Sequence, residues 1–321
     1  MSAELAAGIR RIPIDLPWPG APAANVWALS AGDGVVVVDT GLSCEGSFTA
    51  LTDGLAGAGF GVADVRLVVC THAHGDHIGQ AAPLAEAAGC ELWMHADHRH
   101  GTSPVADIEG EIARRVATGR RCGVPDDALV AYADAIRAQD LGVAGVPRPD
   151  RSLRDGVEIA TDVGRWVVVE TPGHAPSHVC LFEPDGGFLL SGDHLLERAS
   201  LGFDHGFTLD PVGELLASLH RVEALDARLC LPGHGEPFTD VRAAIAATHA
   251  AVDERLDSVR AALAAGASSA VEVAQLAYGP FAGEDQAVWM FAEALCMLEH
   301  LELRAEARLH APLRWDVGLH P

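Results

Sequence analysis

The sequence predicts an α/β fold class with a helical insert and a helical C-terminal appendage. Short apolar runs alternate with helical segments through the first 240 residues, which is typical of α/β proteins. Residues 98–150 interrupt this alternation with two consecutive helical patterns, and helical patterns continue beyond about residue 240. We therefore divide the chain into a main unit over residues 1–240, which carries the insert, and a C-terminal region over residues 241–321.

The first strands are predicted from β-branched apolar runs that are bounded by Gly, Pro or Asp residues. Such runs occupy Ile9–Ile14, Val26–Leu29 and Gly34–Asp39. The elements that follow are a helix at about 45–58, a strand at Arg66–Cys70, a helix at 78–88 and a strand at Glu91–His95. These strands are expected to form one sheet.

The insert over residues 98–150 contains two predicted helices and ends in a Gly- and Pro-rich segment. The helices cover about 108–119 and 125–139, and the segment runs over Gly142–Pro149. A helix is predicted later at 211–224, where leucines recur on one stripe. The strands of this second half are predicted at about 157–160, 165–170, 178–183, 187–191 and Arg228–Leu231.

Beyond residue 240 every predicted element is a helix. Ser269 and Glu272 have the spacing of a capping box, which opens a helix. Apolar residues with a period of 3.6 then predict the buried face of a longer helix: Val288, Phe291, Leu295, Leu298 and Leu301.

Composition limits the classes of function. Of the 321 residues, 49% are hydrophobic and 21% are charged, which indicates a globular chain rather than a disordered one. Apolar runs such as Val35–Val38 are far shorter than the ~18 residues of a membrane helix, and residues 1–16 lack the apolar core of a signal peptide. We therefore expect a cytoplasmic protein with no membrane partner.

The net charge of −23 argues against a polyanionic partner. The chain has 45 acidic and 22 basic residues, and every basic residue is arginine. Because nucleic-acid binding needs a basic surface, we expect no nucleic-acid partner and a small-molecule substrate instead.

The seven cysteines form no C-x-x-C pair and are expected to be reduced. Oligomeric state stays open, with a homo-oligomer as one alternative.

A cluster of candidate metal ligands follows the strand at Arg66–Cys70. Three histidines and one aspartate fall within six residues, as His72, His74, Asp76 and His77. Imidazole nitrogens and carboxylate oxygens suit Zn²⁺ or another borderline divalent ion. The segment therefore predicts a metal site, with Gly75 in a tight turn.

Three further candidate ligands lie where later strands end. In each case a glycine directly precedes the candidate residue: His174, Asp193 and His234. Together with the first cluster, these residues predict that one edge of the sheet collects seven ligands for two metal ions.

Other polar clusters allow two interpretations. One cluster consists of His95, His98 and His100, and it could form a further metal site or a solvated loop. A second cluster consists of Arg114, Arg115, Arg120 and Arg121, and it could bind substrate carboxylates or form a solvated helix face. His205 lies beyond Asp193 and receives no role.

The H-x-H-x-D-H pattern of residues 72–77 resembles that of the metallo-β-lactamase fold hydrolases. Asp39-Thr40-Gly41 and the three later ligands occur in the family's order, so the resemblance runs from about Ile9 to His234. It implies an αββα sandwich with two metal ions, one held by His72, His74 and His174 and the other by Asp76, His77 and His234. Asp193 would bridge the two ions.

The resemblance also implies roles for residues around the ligands. Asp39 would hydrogen-bond the ligand loop. For His178 and His194, which lie near predicted ligands in the sequence, contact with a ligand or the substrate and plain packing stay open as alternatives. A hydroxide that bridges two zinc ions would be the nucleophile, and Asp76 would orient it as the catalytic residue. Iron and manganese are the alternatives to zinc.

The function that the resemblance implies is hydrolysis of a thioester, ester or lactone in a small molecule, as in the dinuclear glyoxalase II-like and lactonase-like members. One alternative is an iron-dependent sulfur dioxygenase-type oxidoreductase. Another is a phosphodiesterase or ribonuclease, because the C-terminal region resembles the winged-helix-type appendage of lactamase-like endoribonucleases and polyketide thioesterases. The acidic charge of the chain argues against this second alternative.

Overall fold

A computed structural model describes residues 5–18, 20–280, 284–310 and 314–317, and it contains two large β-sheets. The first sheet has six strands in chain order: β1 (Ile9–Ile14), β2 (Ala24–Ala31), β3 (Gly34–Val38), β4 (Val65–Val69), β5 (Glu91–His95) and β6 (Arg151–Leu153). The pairs β1–β2 and β2–β3 are antiparallel, whereas β3 to β6 run parallel.

The second sheet has five strands in the order β11-β10-β9-β8-β7. Its strands are β7 (Glu158–Thr161), β8 (Gly164–Glu170), β9 (Val179–Glu183), β10 (Phe188–Gly192) and β11 (Leu229–Pro232). Only β10 and β11 are parallel, because a helix over Pro211–Glu223 connects them.

Ten α-helices lie in the described part of the chain. They are α1 (Ser47–Gly57), α2 (Gly75–Ile78), α3 (Ala81–Ala88), α4 (Arg99–Ala106), α5 (Ile108–Arg121), α6 (Asp126–Ala138), α7 (Pro211–Glu223), α8 (Val241–Ala264), α9 (Ala270–Tyr278) and α10 (Glu284–Leu303). Among the described residues, none of these helices has the length and apolar character needed to cross a bilayer.

Three hydrophobic clusters separate four layers. One cluster fills the space between the two sheets, where Val36 and Trp27 of the first sheet meet Val168 and Leu190 of the second. A second cluster packs α1 and α3 on the outer face of the first sheet, and a third packs α7 and the C-terminal helices on the second sheet. The predicted α/β class and αββα sandwich are therefore confirmed.

The insert is a crossover between two neighbouring parallel strands, because β5 and β6 flank it and pair with each other. It contains three helices, so the prediction of two helices was wrong. The additional helix, α4, contains Gly101 and Pro104, which disfavour helices in isolation. Its close packing against the ligand segment stabilises it nevertheless.

The expectation that all elements beyond residue 240 are helical was also wrong. A hairpin of β12 (Ala307–His310) and β13 (Arg314–Val317) follows α10, and Trp315 is buried beneath it. The capping box at Ser269 is present, with Ser269 N donating to Glu272 Oε2 at 3.0 Å. This region shares one hydrophobic cluster with α7 and the second sheet.

Replacing Gly101 by alanine is expected to push α4 away from the candidate ligands. A Cβ at this position would lie 1.6 Å from the carbonyl oxygen of Ala73, which is the residue between His72 and His74. The Ala73 carbonyl belongs to the backbone and cannot move aside as the end of a flexible side chain can. We therefore expect a loss of at least about 1–3 kcal/mol in unfolding free energy. Chemical denaturation measures this loss.

Gly57→Ala is the matched control, because an added Cβ there meets nothing within 4 Å and the residue ends an exposed helix turn. This control should leave stability unchanged or raise it by up to about 1 kcal/mol. Equal stability of the two variants would contradict the close approach of α4.

Candidate metal centre

The seven candidate ligands lie at one edge of the sandwich, where strands of both sheets end. His72, His74, Asp76 and His77 follow β4, while His174 follows β8. Asp193 and His234 lie just beyond β10 and β11. Gly75 lies in a tight turn, in which the His77 amide donates to the His74 carbonyl at 3.0 Å, and this turn forms the short helix α2.

The first half-site consists of three imidazoles. His74 Nδ1 lies 3.1 Å from His72 Nε2 and 3.0 Å from His174 Nε2. The three nitrogen atoms therefore converge on one point, and one ion could contact all of them. Nitrogen donors at this spacing are typical of a zinc site.

The second half-site combines a carboxylate with two imidazoles. Asp76 Oδ2 lies 3.2 Å from His234 Nε2 and 3.9 Å from His77 Nε2. These three residues form a second group whose donor atoms are close enough to share one ion.

Asp193 lies between the two half-sites. Its Oδ1 is 3.4 Å from His77 Nε2, and its Oδ2 is 3.4 Å from His234 Nε2 and 3.9 Å from His174 Nε2. One carboxylate thus faces ligands of both groups. This is the position that a bridging ligand requires.

Each candidate histidine uses its remaining ring nitrogen to contact a fixed partner. His72 Nδ1 lies 3.0 Å from Thr71 Oγ1, and His77 Nδ1 lies 2.9 Å from Asp39 Oδ2. The other three pairs are His74 with Asp204 at 2.9 Å, His174 with the Gly202 carbonyl at 3.2 Å and His234 with the Ala23 carbonyl at 3.1 Å. Such partners fix the ring orientation of metal ligands.

Two glycines explain why a glycine precedes a candidate ligand at the end of a strand. A Cβ on Gly233 would lie 2.2 Å from Asp193 Oδ1, and one on Gly192 would lie 2.7 Å from His178 Nε2. Gly192 also has a φ of 47°. Side chains at these positions would fill the space in which the ligands meet.

The three residues predicted around the ligands occupy different places. Asp39 accepts hydrogen bonds from His77 and Thr71. His178 Nε2 accepts hydrogen bonds from the backbone amides of Asp193 and His194, both at 3.1 Å, so it positions the segment that carries Asp193. The imidazole of His194 is buried without a hydrogen-bond partner among the described residues, and burial lowers its pKa to about 3.

Sequence reasoning missed Asp204 and the role of His100. Asp204 Oδ2 lies 2.9 Å from His74 Nε2 and 2.7 Å from His100 Nδ1. Of the two interpretations open for its segment, the solvated loop does not hold for His100, which is buried; with His74 and Asp204 it forms a further group of potential metal donors. The only available sequence signal was the dense run of histidines at residues 95–100.

The four arginines singled out in the insert contact partners within the protein. Arg114 and Arg115 both form ion pairs with Glu111, and Arg120 pairs with Asp126. Arg121 contacts only Thr118 at 3.5 Å among the described residues. These contacts favour the interpretation of a helix surface over that of a carboxylate-binding patch.

All seven cysteines are free thiols.

Neighbouring carboxylates decide which candidate histidines are basic. In the first half-site, burial lowers the pKa of His174 to about 4 and lowers that of His72, whereas at His74 the charge and hydrogen bond of Asp204 outweigh burial and raise the pKa. Burial lowers the pKa of His234 as well, but hydrogen bonds and charges of Asp193 and Asp76 outweigh it and raise the pKa to about 10. Carboxylates therefore attract positive charge to both half-sites.

The residues present fit two divalent metal ions. His77 Nε2 and Asp193 Oδ1 are buried and 3.4 Å apart, yet neither makes a hydrogen bond among the described residues. Buried polar atoms are rarely left without a partner. A cation that contacts both atoms would satisfy them, and nitrogen donors mixed with carboxylates suit Zn²⁺, with iron and manganese as alternatives.

Comparison with known proteins gives a consistent result. A family model described as "Metallo-beta-lactamase superfamily" matches residues 19–234, which include all seven candidate ligands. The Bacillus subtilis protein named "Probable metallo-hydrolase YqjP" is 29% identical over 273 residues, covering 82% of this chain and 83% of that protein.

Two solved structures are similar over 98% of the chain. A metallo-beta-lactamase family protein from Thermus thermophilus has a TM-score of 0.83 at 27% identity, with 100% of its chain covered. A beta-lactamase domain protein from Burkholderia ambifaria has a TM-score of 0.80 at 30% identity, with 93% of its chain covered. The similarity therefore includes the C-terminal region.

Proposed function

The chain belongs to the metallo-β-lactamase superfamily, and on this basis we propose that it is a dinuclear metallohydrolase that cleaves a thioester, ester or lactone in a small molecule. The observation that carries this proposal is the position of Asp193, whose carboxylate faces His77 and His234 of one group of converging ligands and His174 of the other. A site with only one complete half would not need such a residue.

The residues assigned to the first ion are His72, His74 and His174, and those assigned to the second are Asp76, His77 and His234. Asp193 is assigned to both. Two bound ions supply an activated water molecule and positive charge for the oxygen that becomes negative during acyl cleavage. Zinc is the proposed metal because imidazole and carboxylate donors suit it.

The protein's own residues orient the reactants. Asp76 is assigned the orientation of the attacking water, because its side chain is 19% exposed while the neighbouring His77 is fully buried. Asp39 and the Ala23 carbonyl hold His77 and His234 in fixed ring orientations. Rigid placement of the reacting groups is a large part of hydrolytic catalysis.

Paired arginines support an acyl substrate over a phosphodiester. A nuclease needs basic side chains that follow the phosphate backbone, but Arg114 and Arg115 near the site are engaged by Glu111. Since these arginines are engaged and the net charge is −23, we propose a small molecule as the substrate.

Elemental analysis of the purified protein and a substrate panel test this proposal. We expect about two zinc ions per chain and hydrolysis of thioesters, esters or lactones, because the donor set offers two complete half-sites. Inductively coupled plasma mass spectrometry counts the metal ions, and protein stripped with a chelator provides the inactive control.

The other outcomes are distinct. About one iron ion per chain with oxygen-dependent oxidation of a sulfur substrate would replace the proposal with a dioxygenase, since iron also accepts these donors. Cleavage of bis(p-nitrophenyl) phosphate without cleavage of acyl substrates would replace it with a phosphodiesterase.

A further inference from the structure

The loop over residues 201–210 is the last part of the connection from β10 to α7. It contacts two ligands of the first half-site. The Gly202 carbonyl lies 3.2 Å from His174 Nδ1, and Asp204 Oδ2 lies 2.9 Å from His74 Nε2. By contrast, the outer nitrogens of His77 and His234 contact Asp39 and the Ala23 carbonyl, which lie outside this loop. The loop thus holds one half-site and not the other.

Asp204 is the centre of a closed hydrogen-bond network. His74 Nε2 and His100 Nδ1 both donate to its Oδ2, at 2.9 and 2.7 Å. His100 Nε2 then accepts from the Ser177 hydroxyl at 2.7 Å, and Ser177 Oγ accepts from the Ala73 amide at 3.1 Å. With His74 protonated on Nε2 and His100 protonated on Nδ1, every donor of the network has an acceptor. The network ends at the Ala73 amide, which lies between His72 and His74 in the chain.

The loop contacts α10 of the C-terminal region at two residues. His205 Nε2 lies 3.0 Å from Glu299 Oε1, and His300 Nδ1 lies 2.8 Å from Asp210 Oδ1. Asp210 also caps α7 by accepting from the Gly213 amide at 2.8 Å. Each of these two contacts pairs a histidine with a carboxylate, and His205 directly follows Asp204 in the chain.

The insert fastens the same loop from the other side. The Phe207 ring packs against the buried His100 ring at 5.9 Å, and the Arg114 guanidinium lies 4.6 Å above Phe207. Arg114 also reaches the His205 carbonyl at 3.5 Å. The insert and the C-terminal region thus meet at the residues that surround Asp204.

We propose that Asp204 is a positioning residue for the first metal ion, and that the insert and α10 set the affinity for that ion by holding the 201–210 loop. This inference rests on the proposed binding of two metal ions. His74 presents Nδ1 to the half-site, so its Nε2 proton needs an acceptor, and a carboxylate acceptor raises the basicity of the ligand.

Stepwise zinc titration in competition with a chromophoric chelator tests the inference. Asp204→Asn should weaken one of two binding steps by about 10–100-fold and leave the other unchanged, because outer partners of metal ligands have effects of this size. Glu299→Gln should weaken the same step less. Glu302→Gln is the matched control, since Glu302 lies on α10 and makes no hydrogen bond to the loop in the described part of the chain.

Cobalt substitution identifies the affected half-site. His174→Ala removes a ligand of the first half-site, and His234→Ala removes one of the second. The visible spectrum of cobalt-loaded Asp204→Asn at one equivalent should match that of His174→Ala, because both variants retain the second half-site with its carboxylate. Thermal melting of the metal-free variants checks that each one is folded.

The outcomes separate the inference from the proposed function. Unchanged binding in Asp204→Asn, or equal weakening of both steps, would overturn the inference while two ions still bind to the wild type. Weakening in Asp204→Asn but not in Glu299→Gln would overturn the role of α10. Failure of the wild-type protein to bind a second ion would instead overturn the dinuclear proposal.

Discussion

Replacement of Asp193 by alanine is expected to remove at least one metal ion per chain and most of the hydrolytic activity. The carboxylate faces His77 through Oδ1 and both His174 and His234 through Oδ2. Loss of an outer partner of a ligand already lowers metal affinity or activity about 10–100-fold, so loss of a residue that serves both ions should exceed ~100-fold. Mass spectrometric metal counts and kcat/KM on an acyl substrate measure the two effects.

The effect should be specific to the position of the charge. Asp185→Ala makes the same substitution in the exposed turn that precedes β10, at the end of that strand opposite to Asp193, and should leave metal content and activity unchanged. Asp193→Asn should resemble Asp193→Ala, because an amide nitrogen cannot replace a carboxylate oxygen toward a cation. Two ions with full activity in either Asp193 variant would exclude a bridging role.

Most of the sandwich could be predicted because its strands are buried and β-branched. Val35–Val38 and Val65–Val69 are short, mostly apolar runs that are largely buried in the sheet. A run of this length and composition is typical of a buried strand. The elements that escaped prediction are polar and short. Arg151–Leu153 pairs over only three residues, and the hairpin at Ala307–Val317 exposes Arg308 and Arg314, so long-range packing determines both.

The candidate ligands could be predicted from sequence, whereas their surroundings could not. Ligand spacing at residues 72–77 is local, and each later ligand follows a strand and a glycine. Asp204, by contrast, reaches His74 across 130 positions of the chain, from a loop without regular structure. Its position depends on contacts with α4 and α10, and no sequence pattern encodes such contacts between distant elements.

Asp39 supports the second strong prediction, because its buried carboxylate accepts three hydrogen bonds. Oδ1 accepts from the Thr71 amide at 2.8 Å, and Oδ2 accepts from the Thr71 hydroxyl and from His77 Nδ1, both at 2.9 Å. The Thr71 hydroxyl in turn contacts His72 Nδ1. One side chain therefore holds ligands of both half-sites.

Asp39→Ala is expected to lower the unfolding free energy by about 3 kcal/mol or more, because each buried donor left without an acceptor costs about 1–3 kcal/mol. A φ of 61° at this position adds about 1–2 kcal/mol, since alanine adopts the left-handed region less readily than aspartate. Denaturant titration of the metal-free protein measures this sum. The metal-loaded protein should lose more, because His77 and His72 also lose their fixed orientations.

Asp226→Ala separates the two contributions. Asp226 also has a positive φ, of 52°, but its side chain is 78% exposed and pairs only with Arg242 in the described part of the chain. This control should therefore show the backbone contribution of about 1–2 kcal/mol alone. Equal losses in both variants would mean that the three hydrogen bonds contribute nothing to stability. A larger loss at Asp39 that grows further with bound metal would identify this carboxylate as the link between the fold and both half-sites.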